Sequence, residues 1–245
     1  MSHIHIDVEH LNFAYEADRS VLQDITFHAR ENDAIGIIGA NGVGKSTLLK
    51  LLVGLELNFT GSIRIEEIPL GKQTLSKIRE KVGYVFQDSD SQLFMSTVED
   101  DVAFAPRNYG LPEKEAEARV MRALERVGIS HLRTKHTYKL SGGEKKLAAI
   151  ATILSMTPDI ILMDEPSAAL DPKNRRNLIR ILNEFDHLKI ITSHDLDFVM
   201  DTCTRVILMN EGRIICNGAA ADILTDEALL EENGLELPLS LYRKT

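Results

Sequence analysis

Gly39-Ala40-Asn41-Gly42-Val43-Gly44-Lys45-Ser46 packs three glycines, one lysine and one serine between two apolar stretches. It satisfies G-x-x-x-x-G-K-[ST], the loop that cradles phosphate. Glycines let the backbone curl until consecutive N–H groups face one anion. Lys45 is placed to reach β- and γ-phosphates, and the Ser46 hydroxyl to bind Mg²⁺. Ala34–Ile38 before the loop reads as a buried strand. Ser46–Val53 after it reads as a helix, with Gly54 as its C′ residue. Strand, glycine loop and helix N-terminus in that order are what phosphate binding needs.

Working outward, the 245 residues make one large domain or two intimate lobes. Hydrophobic content of 44% with 27% charged residues excludes a disordered chain. A net charge of −9 gives no global basic footprint for nucleic acid. Cys203 and Cys216 are too few for a disulfide framework, so a reducing compartment is expected. No apolar run approaches the ~18 residues of a membrane span. The start, MSHIHIDVEH, lacks the apolar core of a signal peptide. Work at a membrane would need a second chain to supply the span.

Alternating apolar and polar residues in Ile4–Val8 and Val21–Phe27 predict half-buried antiparallel strands, and Gly61–Ile65 another. Val82–Phe86 reads as a strand followed by a polar break at Gln87–Ser91. A helix is predicted from Glu113, with Ala116, Val120, Leu124 and Val127 on one face, Pro112 before it and Gly128 closing it. A second runs from about Ser141 to Met156. Ile160–Met163 is continuously apolar, as suits a parallel strand buried on both faces. Pro172 opens a helix carrying Leu178, Ile181, Leu182 and Phe185, and Lys189–Thr192 follows as a strand. Val206–Met209 and Arg213–Ile215 flank Asn210-Glu211-Gly212, a hairpin. The fold class is α/β: a nucleotide core at 1–87 and 157–218 that includes an N-terminal antiparallel β-subdomain, a helical insert at 88–156 and a short amphipathic tail at 219–245.

Two further constellations carry chemistry. Ile160–Met163 ends in Asp164-Glu165. An acid at the carboxyl end of such a strand sits where Mg²⁺ binds, and the next residue can polarise an attacking water. Alone, the pair would read as a solvated strand end; beside the phosphate loop it does not. Leu140-Ser141-Gly142-Gly143-Glu144 is locally a capping box, with Ser141 at the N-cap and Glu144 reaching back. The consecutive glycines also bare N–H groups at a helix N-terminus, a surface that binds anions.

Taken in order, these motifs resemble an ATP-binding cassette (ABC) ATPase over nearly the whole chain. Gly39–Ser46 is similar to its Walker A motif, Ile160–Glu165 to Walker B, and Leu140–Glu144 to the LSGGQ signature with Glu for the final Gln. Gln87 matches the Q-loop, Ser167–Asp171 the D-loop, His194 the switch histidine and Tyr15 the aromatic that stacks on adenine. The resemblance implies ATP as ligand, bound through Tyr15, Gly39, Asn41, Gly42, Gly44, Lys45, Ser46 and Thr47. It implies catalysis by Glu165, His194 and Gln87, with Mg²⁺ held by Ser46, Gln87 and Asp164. It also implies a head-to-tail dimer in which Ser141, Gly142, Gly143, Glu144 and Asp171 serve the partner's ATP. Leu147 departs from the family, standing where many members carry Arg.

Gln87–Phe94 and Thr97–Pro106, with Leu235–Pro238, resemble the ATPases of energy-coupling-factor (ECF) transporters; among these the chain, whose tail after the core is short, resembles the cobalt/nickel importer type. The implied partners are a second ATPase chain, a membrane subunit docked near residues 87–106 and a substrate-binding membrane component. The implied place is the cytoplasmic face of a prokaryotic membrane. The alternative is a soluble ABC ATPase acting on nucleic acid or ribosomes. Against it stand the acidic balance, the single cassette and the short separation of Lys45 from Ser141, which leaves no room for a long coiled coil. A P-loop small-molecule kinase would leave Ser141–Glu144 unexplained. His3, His5 and His10 read as ordinary strand and loop residues, for no Cys or acidic partner stands in fixed register with them.

Overall fold

In the computed structural model, which describes residues 4–16 and 18–242, the chain opens on a long hairpin. Its strands are β1 (Ile4–Glu16) and β2 (Arg19–Arg30). His3 lies outside the described residues. The inward face carries Ile6, Val8, Leu11, Leu22, Ile25 and Phe27, all buried, and polar residues alternate on the other face. β3 (Ala34–Ile38) then leads through the glycine loop into α1 (Lys45–Leu52), which Gly54 terminates at φ 66°. β4 (Phe59–Ile65) and β5 (Ile68–Pro69) complete a four-stranded antiparallel sheet in the order β2-β1-β4-β5.

α2 (Leu75–Lys81) delivers the chain to β6 (Val82–Val85). Three helices follow: α3 (Val98–Asn108), α4 (Glu113–Val127) and α5 (Gly142–Leu154). After them come β7 (Ile160–Asp164), α6 (Pro172–Asn183), β8 (Leu188–Thr192), α7 (Leu196–Thr202) and the hairpin β9 (Arg205–Asn210) and β10 (Arg213–Ala219). The short helices α8 (Ala220–Ile223) and α9 (Glu227–Glu232) close the chain. The second sheet has the order β10-β9-β3-β8-β7-β6, parallel except for the edge strand β10.

The apolar run of β7 shows why that sheet must be covered twice. Successive side chains point to opposite faces. Ile160 and Leu162 join one core with β1, β2 and α1, while Ile161 and Met163 join the other with α3 to α7. All four are fully buried, at roughly 1.5–3 kcal/mol each relative to exposure. The antiparallel sheet therefore covers one face of the parallel sheet and the helices cover the other.

Three helices, α2, α3 and α7, are absent from the individual helices predicted above, although α3 falls within the helical insert expected at 88–156. α3 begins before the predicted helical start at Glu113, capped by the Thr97 hydroxyl, which accepts the Asp100 N–H at 3.2 Å. Its first turn is Glu99-Asp100-Asp101 and it contains Pro106, so its pattern reads as a broken polar segment. Asp101 is buried nonetheless, its carboxylate accepting the N–H groups of Phe94 and Met95. α2 and α7, of seven residues each, are too short to show a period. Phe185 stands beyond the end of α6 rather than on it.

Candidate active site

The glycine loop joins β3 to α1 at the carboxyl edge of the parallel sheet. Gly39 has φ 147°, and a Cβ there would lie 2.2 Å from the Met209 carbonyl oxygen, so no other residue fits. Gly44, at φ 103°, is the N-cap of α1. The Lys45 ammonium turns back into the curl and donates to the carbonyls of Gly39 (2.7 Å) and Ala40 (2.9 Å). It is 6% exposed, and burial draws its pKa down against the opposing pull of Glu165 and Asp164.

Ser46 opens α1 facing the end of β7. Its hydroxyl donates to Asp164 Oδ1 at 2.9 Å, and the Thr192 hydroxyl donates to the same oxygen at 2.6 Å. Glu165 follows at φ 47°, a left-handed conformation at the strand end. The His194 N–H donates to Glu165 Oε2 at 3.2 Å, the Ser193 hydroxyl lies 3.4 Å from it, and His194 Nε2 lies 3.2 Å from Oε1. Burial raises the Glu165 pKa; the His194 charge and N–H and the Lys45 charge oppose that rise. A carboxylate held this way is a stronger proton acceptor than one in water.

These groups border one cleft of about 720 Å³. Tyr15, Asn41, Gly42, Gly44, Lys45, Ser46, Thr47, Gln87, Glu165 and His194 line it, which unites most residues singled out in the sequence. Gly39 and Asp164 sit behind them, bonded to Lys45 and Ser46. Tyr15 is 54% exposed at the rim, edge-on to Phe13, with its hydroxyl 3.4 Å from that of Thr47.

Ser141, Gly142, Gly143, Glu144 and Asp171 do not line this cleft. The Ser141 hydroxyl accepts the Glu144 N–H at 3.3 Å, and Glu144 accepts the Ser141 N–H at 2.7 Å, completing the capping box. The Glu144 carboxylate also takes the Lys135 ammonium at 3.1 Å. Glu in place of Gln at this position gains an ion pair, and the Ser141 N–H and then the Lys135 ammonium hold its pKa below the usual range. Leu147 is 2% exposed and belongs to the core, which explains that departure as packing. Asp171 is exposed and N-caps α6, accepting the N–H groups of Lys173 and Asn174.

Sequence reasoning missed Thr192 and Ser193, whose hydroxyls meet Asp164 and Glu165. Their position just before His194 was the available signal. It missed Arg175 too, which holds Asp195 by two bonds (2.8 and 3.1 Å) and so ties α6 to the His194 loop. His5 and His10 pair with Glu66 and Asp24, respectively.

Comparison with known proteins gives the family. The family model described as ABC transporter matches residues 22–168. An energy-coupling factor transporter ATP-binding protein, EcfA of Carboxydothermus hydrogenoformans, is 42% identical over 237 residues, covering 96% of this chain and 87% of the relative. A Geobacter sulfurreducens chain named as an ABC transporter ATP-binding protein is 49% identical over 241 residues, 98% of this chain and 97% of that one. Among solved structures, cbiO1 from Clostridium perfringens, described as part of the ABC transporter complex cbiONQ, superposes with a TM-score of 0.81 at 38% identity, covering 94% of each chain. With its cleft, phosphate loop and paired carboxylates, the chain belongs to the ABC transporter ATP-binding family and is an ATPase of the ABC/ECF kind.

Proposed function

We propose that the chain is the ATP-hydrolysing subunit of an ECF-type importer, working as a dimer whose two ATP sites are each shared between chains. The observation that carries this reading is the division of the motifs. The phosphate loop, Glu165, Gln87 and His194 meet at one cleft with Asp164 behind them, whereas Ser141–Gly143 stand apart from it, Ser141 and Gly142 exposed and Gly143 half-buried. A second chain supplies the missing face.

In this mechanism the loop N–H groups and Lys45 bind the β- and γ-phosphates, and Tyr15 stacks on adenine. Glu165 takes a proton from the attacking water, with its carboxylate aimed by the His194 N–H and the Ser193 hydroxyl. His194 and Gln87 orient water and γ-phosphate. The partner's signature helix stabilises the charge that develops. The oxygens of Ser46, Asp164 and Gln87 suit a hard cation, so these residues would hold Mg²⁺. When bound, the ion neutralises phosphate charge. Asp171 couples the two sites across the dimer.

The membrane subunit docks near residues 87–106, where Phe94 (66% exposed) and Phe104 (42% exposed) form an edge-to-face pair at 4.8 Å. No helix among the described residues is long and apolar enough to cross a membrane, so the span belongs to that partner. The place of action is then the cytoplasmic face of a prokaryotic membrane, beside a separate substrate-binding component. The cargo is a micronutrient, and the resemblance to the cobalt/nickel importers supports a metal ion. The test is purification of the tagged chain from native membranes. A polytopic membrane protein should co-purify and stimulate hydrolysis. Phe94→Asp should break that association while ATP binding stays unchanged. A Phe94→Asp chain that still docks would refute this surface.

A further inference from the structure

A buried ammonium must find hydrogen-bond partners, and Lys146, 3% exposed within α5, finds them outside its helix. It donates to the carbonyls of Phe86 (3.1 Å) and Gln87 (2.7 Å). Phe86 is held from its other side as well. Its N–H donates to Gln92 Oε1 at 3.1 Å, and the Gln92 amide donates back to α5, at the Ala149 carbonyl (2.8 Å) and the Thr152 hydroxyl (2.9 Å). Lys145 adds an ion pair to Asp90 at 2.5 Å, a weak contribution because Asp90 is mostly exposed. The segment 86–92 leaving β6 is therefore fastened to α5 by side chains running in both directions.

The same helix begins at the signature residues, and Lys146 sits little more than one turn from its start. A helix is stiff over that distance. Gln87 and the N-terminal N–H groups of α5 cannot shift independently while the ammonium bridges them. On the shared-site reading above, on which this step rests, Gln87 serves the chain's own ATP and Ser141–Gly143 serve the partner's.

We infer that Lys146 is a positioning residue that locks Gln87 to the signature helix, so that one buried ammonium sets what this chain contributes to both ATP sites of the dimer. Leu147, Ala148, Ile150 and Ala151 already bury α5 without it. Support of the helix alone does not call for a lysine aimed at the loop.

The test uses differently tagged full chains purified as heterodimers. One chain carries Ser141→Arg, the other Lys45→Ala. The live site then uses the phosphate loop and Gln87 of the first chain and the signature of the second. Lys146→Met is added to the first chain, whose own signature is already dead. Turnover should fall tenfold or more, with ATP affinity unchanged within about twofold. Amide exchange across residues 86–92 should rise at least tenfold while α1 keeps its protection. Unchanged turnover and exchange would overturn the inference. So would a loss seen only when Lys146→Met is placed in the signature-donating chain, since the lysine would then act on the helix alone. If the parental heterodimer has no activity, the shared-site reading has failed; exchange at 86–92 in the Lys146→Met homodimer then decides the latch by itself. Should Lys146→Met not fold, Lys146→Gln replaces it. Its shorter amide cannot span both carbonyls, and the same outcomes apply.

Discussion

The phosphate loop and the signature helix each offer N–H groups at a helix N-terminus, yet the chain completes the first and leaves the second open. Around the start of α1 stand a buried cation, Lys45, a bonded Ser46–Asp164 pair and a buried carboxylate, Glu165, aimed by the His194 loop. Around the start of α5 stand the capping box, the Lys135–Glu144 and Lys145–Asp90 pairs and the Ala169 carbonyl, 3.2 Å from where a Cβ on Gly143 would lie. At the α5 end the one carboxylate of the capping box, Glu144, is taken up by the Ser141 N–H and the Lys135 ammonium. On the shared-site reading, chemistry is gathered at the start of α1 and recognition at the start of α5, so neither helix end suffices alone.

The largest effect should come from the completed end. Glu165→Gln keeps the shape and removes the proton acceptor. Steady-state ATPase should drop by ~10²-fold or more with ATP binding retained. Near-normal turnover would remove Glu165 from the mechanism and erase half of the contrast.

The pH profile sharpens the same side. Glu165 must be ionised to accept a proton, and burial raises its pKa. The acid limb of turnover should therefore lie above the ordinary carboxylate value of 4.5. The His194 charge pulls that pKa down, so His194→Ala should move the limb to higher pH in whatever activity remains. An unmoved limb would mean that another group sets it.

The smallest effect belongs to the open end. Glu144→Ala removes one side of the capping box and should cost about 1 kcal/mol, a few degrees in Tm. Folding depresses the Glu144 pKa, through the Ser141 N–H and Lys135. Its stabilisation is thus fully present above the unfolded value of about 4.3 and fades as pH falls through the lower folded value. Thermal melts of both proteins should converge at strongly acid pH. A gap that persists there would show that packing, not charge, is responsible.

Legibility in the sequence followed the same divide. The β3–loop–α1 unit could be read because its glycines and its apolar strand allow few other structures. The double-sided burial of β7 followed from an unbroken run of Ile160 to Met163. The capping box at Ser141 and Glu144 was visible because its partners are three residues apart. What stayed hidden depends on distant contacts. Charges and Pro106 disguise α3, whose Asp101 is buried by bonds to the preceding loop. Arg175 and Lys146 carry no local signal, and Thr192 only its place just before His194, since each is defined by a partner at least 20 residues away.

Shared sites require that the start of α5 meet a phosphate loop only across a dimer, and this arrangement is open to experiment. Its most direct test is complementation between Lys45→Ala and Ser141→Arg chains. Lys45→Ala disables the phosphate loop, and Ser141→Arg sets a cation against the helix N-terminus and blocks phosphate from approaching. Each pure mutant should be inactive. Mixed chains, with the membrane partner present where the cassettes need it to pair, should regain ATPase activity from the one site that combines a sound phosphate loop with a sound signature. Assembled heterodimers with no activity above the pure mutants would contradict the account.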